Sequence, residues 1–478
     1  MAAAGMGPRV THVIEQLRLG GPLFALTGAS RAWGAQGPRH RILSLLPADP
    51  RAIEHAANAG MSVLSAPALD TIKAELADAD LVQLHFWNSP LIHEFMGARL
   101  APMRVLAWCH VNGFHAPHVL PESLLQFADI VAVTSESSLR LPVFRGANPG
   151  KIAFAFAGAD FSRIERTGPL SHEGINVGYV GLVDFVKLHP AFVRMCAAVN
   201  VPSVRFTVCG SGDSRQALEA EARQLGVFDR FTFSEHVDNV GSVLSGLDVL
   251  GHPLCTQTYA AAELALQEAM FAGIPPVVFG HGGMDTLVTP MRNGLVASSE
   301  TGYVEAIETL CRNPELRKRL GANAASDARR LFGGERTVAG LQPLYEELLR
   351  QPKRAERSTE EPNAQPIRGA RAFVRSLDSI GDIDWLASLE AAGDAACDAE
   401  RRIATAGPAF RNVLLQYRFR YSDDAHLRLW TGLVFADQGR NALAASEFKA
   451  SIELGLDHAR VRHYFSMAAP STLPRLHP

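Results

Sequence analysis

Ala262-Glu263-Leu264-Ala265-Leu266-Gln267-Glu268-Ala269-Met270-Phe271-Ala272-Gly273-Ile274-Pro275-Pro276-Val277-Val278-Phe279 reads as a helix, a tight glycine turn and a buried strand. Leu264, Gln267 or Glu268, and Phe271 share a face at helical spacing, and Gly273-Ile274-Pro275 stops the helix. A carboxylate on the second turn of such a helix, facing a strand-edge crevice, can accept both hydroxyls of a ribose. The helix N-terminus one turn earlier offers free amides and a positive dipole end to a diphosphate. The geometry suits a sugar nucleotide.

The same alternation runs outward in both directions. Val10–Ile14, His40–Leu46, Met61–Leu64, Leu81–Leu84, Val105–Trp108, Ile130–Thr134 and Ile152–Phe156 read as buried strands separated by helical patterns. A second series follows at Ile175–Val180, Phe206–Cys209, Phe231–Phe233, Val249–His252, Pro276–Phe279 and Gly294–Val296. Near-continuous apolar runs alternating with helices indicate parallel sheets covered on both faces. The predicted fold is α/β: two tandem doubly wound Rossmann-like domains, with a ligand at the carboxyl ends of the strands. We expect domains at 1–165 and 166–335, a helix at 336–350 crossing back to the first domain, an exposed linker at 351–369 and a helical region at 370–478. The linker is rich in Pro, Arg, Glu and Ser, so few contacts should cross it and a core ending at Gln351 should fold alone. In the tail, Gly432, Phe435, Gly439, Ala444 and Phe448 match the spacing of one tetratricopeptide helical hairpin, although Arg428 and Thr431 hold its tryptophan and leucine positions. A plain helical tail is the alternative.

The bulk composition is that of a globular protein, with 47% hydrophobic and 20% charged residues in 478 and a net charge of −3. No polyanionic partner is called for, which argues against nucleic acid. The six cysteines have no paired spacing, so neither disulfides nor zinc are expected. No run approaches the ~18–20 apolar residues of a membrane span. A cytoplasmic protein is expected, with peripheral placement at the inner membrane surface as the alternative.

From about residue 9 to Leu349 the chain resembles the retaining glycosyltransferases of family 4, which have the GT-B fold. The resemblance is carried by Phe206-Thr207-Val208-Cys209-Gly210-Ser211-Gly212-Asp213, Leu225-Gly226-Val227-Phe228-Asp229-Arg230-Phe231, Leu247-Asp248-Val249-Leu250, the stretch Glu268–Val278 and Gly282-Gly283. Gly20-Gly21, His110, Ala128–Ser135 and Gly158-Ala159-Asp160 add looser support. The resemblance implies sugar transfer from a nucleotide donor, a UDP- or GDP-sugar, to an acceptor hydroxyl with retained anomeric configuration. It implies no metal and no other cofactor. The acceptor class stays open among a glycan, a lipid-linked precursor and a small metabolite, and the helical tail suggests a protein partner.

The expected donor-binding residues are Gly20, Gly21, Gly181, Lys187, His189, Gly210, Glu268, Gly282 and Gly283. Glycine lets backbone amides approach phosphate or sugar oxygens without an intervening Cβ, and Lys187 can neutralise the leaving diphosphate. The expected catalytic residues are His110, Lys187 and Glu263. His85, Trp87 and Asn88 form the candidate acceptor wall; His281 and Asp285 are weaker donor-site candidates. Two departures from the family stand out. Its first glutamate position is Ala260, leaving Glu263 either to replace it or to serve as an ordinary first-turn acid. Leu182 stands where the family has arginine, with Arg205, Arg215 or His189 as substitutes. A catalytically impaired GT-B scaffold and a nucleotide-sugar epimerase are the competing readings.

Overall fold

A computed structural model describes residues 7–164, 172–235, 237, 239–355 and 367–469. Residues 165–171 of the expected junction and 356–366 of the expected linker lie outside the described residues. The chain divides into two compact units. The first gathers residues up to Phe86 with Ala101–Asn112 and Ala128–Ala355; the second gathers Trp87–Leu100, Gly113–Phe127 and the residues described after 366.

The first unit holds two parallel sheets. β1 (Arg9–Ile14), β2 (Arg39–Ser44), β3 (Ser62–Ser65), β4 (Leu81–Phe86), β5 (Val105–Cys109), β6 (Ile130–Val133) and β7 (Ile152–Phe154) are ordered 3-2-1-4-5-6-7. β8 (Ile175–Val180), β9 (Val204–Cys209), β10 (Phe231–Ser234), β11 (Val249–His252), β12 (Pro276–Phe279) and β13 (Leu295–Ala297) are ordered 10-9-8-11-12-13. These are the runs expected from the sequence, with ends shifted by a few residues. Each sheet changes winding direction at one place, between β1 and β4 and between β8 and β11. Crevices open outside the carboxyl ends of the strands at such points.

The helix Gly334–Arg350 packs on the first sheet. Tyr345 Oη donates to Gln83 Oε1 on β4, and Thr337 Oγ1 accepts from Gly158 N at 2.9 Å. A single apolar cluster joins Val10 and Trp108 of the first sheet, Leu341 and Tyr345 of this helix, and Leu266 and Met270 beside the second sheet. No helix among the described residues is long and apolar enough to cross a membrane.

The second unit is helical, and its tail helices pack with the excursions that follow β4 and β5. Asn88 Nδ2 donates to Pro117 O at 2.6 Å and to Ser376 O at 2.7 Å. Arg420 makes a two-pronged ion pair with Glu94. Helices Ala425–Asp437 and Asn441–Glu453 form a close hairpin, where a Cβ at Gly432 would lie 2.6 Å from Phe448 Cε1. These contacts revise the expectation of a freestanding core. Truncation after Gln351 removes the partners of Asn88 and Glu94 while leaving the helix Pro90–Gly97 with its buried Ile92, Phe95 and Met96. The truncate is expected to aggregate, with a void-volume peak in size-exclusion chromatography where the full chain elutes as a discrete species.

Candidate functional site

Three elements of the first unit converge on Glu263. After β8 the chain turns at Gly181 (φ +148°), and the two glycine loops meet so closely that a Cβ at Gly210 would fall 1.8 Å from the Gly181 carbonyl oxygen. Asp184 Oδ1 accepts from Val186 N at 2.9 Å, closing the turn that delivers Lys187. Lys187 Nζ lies 2.9 Å from Glu263 Oε1, and His252 Nε2, from the end of β11, lies 2.9 Å from Oε2. A carboxylate can only accept, so His252 carries its proton on Nε2. Its Nδ1 has no partner among the described residues. Tyr179 stacks on the far side of the imidazole at 5.4 Å.

Glu263 caps the helix Leu264–Phe271 from a left-handed conformation, φ +44°. For a residue with a Cβ this costs on the order of 1–3 kcal/mol, and such conformations gather at functional sites. Burial alone would raise its pKa, but the Lys187 ammonium and the His252 hydrogen bond outweigh burial and hold it down to about 2. Burial pulls Lys187 downward, and Glu263 more than reverses this, so its pKa is raised. Stability from a depressed carboxylate is present above its unfolded value of ~4.3 and is lost as pH falls through the folded value. Glu263→Gln should therefore flatten the acid limb of a melting-temperature profile below about pH 4. An unchanged acid limb would show that the ion pair does not contribute there.

Glu268 sits one turn into this helix and is 5% exposed. Gln267 beside it donates to Ala157 O at 3.0 Å and accepts from Ala159 N at 2.9 Å, tying the helix to the chain after β7. Gly20 and Gly21 begin the helix Gly21–Trp33, and a Cβ at Gly21 would sit 3.8 Å from Leu264 Cδ1, at the start of the Glu268 helix. Gly282 (φ +65°) and Gly283 (φ +79°) pack too tightly for side chains: Cβ atoms there would meet Thr258 Cγ2 at 2.6 Å and Ser135 Oγ at 2.7 Å. Lys187, Glu263, Glu268 and the Gly20-Gly21 turn are thus gathered around one helix N-terminus.

The other expected residues have the following partners. His85 is 2% exposed and bonded to His12 at 3.1 Å and to His110 at 3.0 Å. Asn88 belongs to the helical unit. Both N–H groups of its amide are taken, by Pro117 O and Ser376 O, and its Oδ1 lies 2.6 Å from His93 Nε2. Trp87 begins the same segment and is partly exposed. His189 accepts from Ala191 N at 3.2 Å, a turn-closing bond. Arg215 is held by Glu219 and Glu235, and Arg205 donates to Asp229 O. His281 Nε2 lies 2.7 Å from Leu254 O, and Asp285 lies in the short helix Met284–Leu287.

Residues 161–327 match the family model described as Glycosyl transferases group 1. The D-inositol 3-phosphate glycosyltransferase of Corynebacterium glutamicum (strain R) is 24% identical over 320 residues, covering 59% of this chain and 75% of that protein. The 2-deoxystreptamine glucosyltransferase of Streptomyces kanamyceticus is 31% identical over 147 residues, 30% of this chain and 37% of that protein. Among solved structures, Anabaena HepE in complex with UDP-glucose superposes with a TM-score of 0.59 at 16% identity, covering 72% of this chain and all of that one. Sucrose-phosphate synthase from Thermosynechococcus elongatus gives 0.57 at 19% identity, covering 72% and 99%. At such identities the likeness shows the fold alone, GT-B, over the 72% of the chain that superposes.

Three further residues around Glu263 carry little signal in the sequence. His252 completes the Glu263 cluster; its signal was a polar residue ending an otherwise apolar strand. Asn112 donates to Thr258 O at 2.7 Å and Ala260 O at 2.9 Å, pinning the loop before Glu263 to the end of β5. Gln267 reads from the sequence only as a possible face-mate of Glu268, whereas it ties the helix to Ala157 and Ala159.

Proposed function

We propose that the protein transfers a sugar from a UDP- or GDP-sugar to an acceptor hydroxyl with retention of anomeric configuration and without a metal ion. The observation that carries this reading is the buried Lys187–Glu263–His252 cluster at the N-terminus of the helix bearing Glu268. In this reading Glu268 accepts from the ribose hydroxyls. Lys187 and the helix amides take the charge that develops on the leaving diphosphate. The glycine turns Gly20-Gly21 and Gly282-Gly283 bring backbone amides to the sugar and phosphates, and His110 hydrogen-bonds the transferred sugar or the incoming hydroxyl. The tetratricopeptide-like hairpin around Gly432 and Phe448 recruits the acceptor or a protein partner.

Incubation with radiolabelled UDP-glucose, UDP-N-acetylglucosamine and GDP-mannose tests the reading. Slow release of free sugar from one of them is expected, accelerated by an acceptor. The relatives named for D-inositol 3-phosphate and 2-deoxystreptamine support including small cyclic polyols among the acceptors. An altered but uncleaved sugar would mean an epimerase, and binding without turnover a scaffold. Activity is further expected to survive complete chelation by EDTA, because Lys187 supplies the cation. Loss on chelation with recovery on adding manganese would overturn that assignment.

A further inference from the structure

Four histidines form a row across the first sheet. His40 on β2, His12 on β1, His85 on β4 and His110 just after β5 follow the spatial order of the strands. Their ring centroids are 5.1, 5.2 and 5.1 Å apart, close to the ~4.8 Å spacing of neighbouring strands. His40 Nδ1 lies 2.8 Å from His12 Nε2, His12 Nδ1 lies 3.1 Å from His85 Nε2, and His85 Nδ1 lies 3.0 Å from His110 Nε2. Every link thus joins Nδ1 of one ring to Nε2 of the next. Burial disfavours the charged form of all four, pushing His40 down to about 4 and His85 to about 3.

A neutral imidazole has one N–H and one lone pair. A row linked in this sense has only two arrangements: every proton on Nδ1, or every proton on Nε2. Two observations choose between them. His40 Nε2, at the far end, is buried with no partner among the described residues. Protons on Nδ1 leave a lone pair there, whereas protons on Nε2 would strand a buried N–H, the rarer and costlier defect. Gln83 is the second. Its Oε1 accepts from Tyr345 Oη, which turns its amide nitrogen toward His85 Nε2 at 3.5 Å, a long contact that still requires that nitrogen to accept.

We infer that this row, set by Tyr345 and Gln83, fixes His110 as the Nδ1–H tautomer, so that His110 meets its ligand with a defined hydrogen-bond polarity. His12, His40, His85 and Gln83 are positioning residues. The tautomer is a property of the free protein; only what His110 then does with it rests on the glycosyltransferase reading. The row makes the state cooperative, because inverting one ring requires inverting all of them.

The test uses the full chain with 15N-labelled histidine and long-range proton–nitrogen spectra, with His110→Gln to assign its signals. The expected result is a pyrrole-type Nδ1 and a pyridine-type Nε2 for His110 at neutral pH. The reverse pattern, or a mixture, overturns the inference. Gln83→Glu keeps the shape of the side chain but can only accept, so it should invert the row and move the His110 proton to Nε2. Turnover of whichever nucleotide sugar is hydrolysed should then fall at least about tenfold, since a wrong tautomer disables a histidine whose position is intact. Donor KM should stay within about twofold. Inversion with unchanged turnover would remove the positioning role. Should Gln83→Glu not fold, Tyr345→Phe frees the amide to turn its oxygen toward His85 Nε2 and should raise the share of the Nε2–H form, and an unchanged spectrum would remove Tyr345 and Gln83 from the setting of the row. Absence of turnover in the unaltered protein would defeat the proposed function while the spectrum still decides the tautomer.

Discussion

Replacing Glu268 by alanine should lower donor affinity and turnover together, by roughly 30–1,000-fold in kcat/KM, corresponding to about 2–4 kcal/mol. A ribose diol presents two donors at about the separation of carboxylate oxygens, and charge-assisted bonds of this kind are worth about 1.5–3 kcal/mol each. The helix Leu264–Phe271 holds the residue one turn from the Lys187–Glu263 pair, beside the tie that Gln267 makes to Ala157 and Ala159. At 5% exposure the side chain also fills space, so Glu268→Gln is the informative companion. It keeps the volume, removes the charge and should retain the melting temperature while losing much of the donor affinity. Isothermal titration with UDP and GDP, alongside hydrolysis kinetics, measures both. Near-unaltered kinetics in the alanine variant would sink the assignment.

The strands were legible because buried parallel strands are written as continuous apolar runs, and the Glu268 helix because Gly273 and the prolines punctuate it. Charge partnership was harder to read. Lys187, His252 and Glu263 are separated along the chain and meet only because β8 and β11 are neighbours at the winding switch. The histidine row was hidden for the same reason. His12 and His40 lie inside runs that read as ordinary strands, and a single histidine in such a run signals little beyond packing. Only the order β2-β1-β4-β5 turns them into a line. Asn88 reads from its neighbours as part of a sugar-binding rim, whereas its donors are engaged within the helical unit. Nothing in the local sequence discloses that its amide is consumed by Ser376, far along the chain. Local pattern thus carried the fold, and long-range pairing carried the site.

Lys187→Ala should combine a stability defect with a catalytic one, and the two can be separated. Removing the ammonium leaves the carboxylate of Glu263, whose side chain is 4% exposed, with His252 as its remaining partner in the cluster. Breaking a buried pair from one side typically costs about 3–5 kcal/mol, because the surviving charge is uncompensated. The variant should therefore unfold at markedly lower denaturant concentration. Turnover should fall by roughly 10²–10³-fold, as expected when a group aimed at developing charge is lost. The double variant Lys187→Met with Glu263→Gln removes both charges while nearly keeping their volumes. If the lysine serves only to balance Glu263, the double variant should regain stability and turnover alike. If Lys187 carries the leaving diphosphate, stability should return while turnover stays well below that of Glu263→Gln alone, a dissociation readable from denaturant midpoints and single-turnover rates on the same preparations. Recovery of turnover would reduce Lys187 to a structural counter-ion and leave the diphosphate to the helix N-terminus alone.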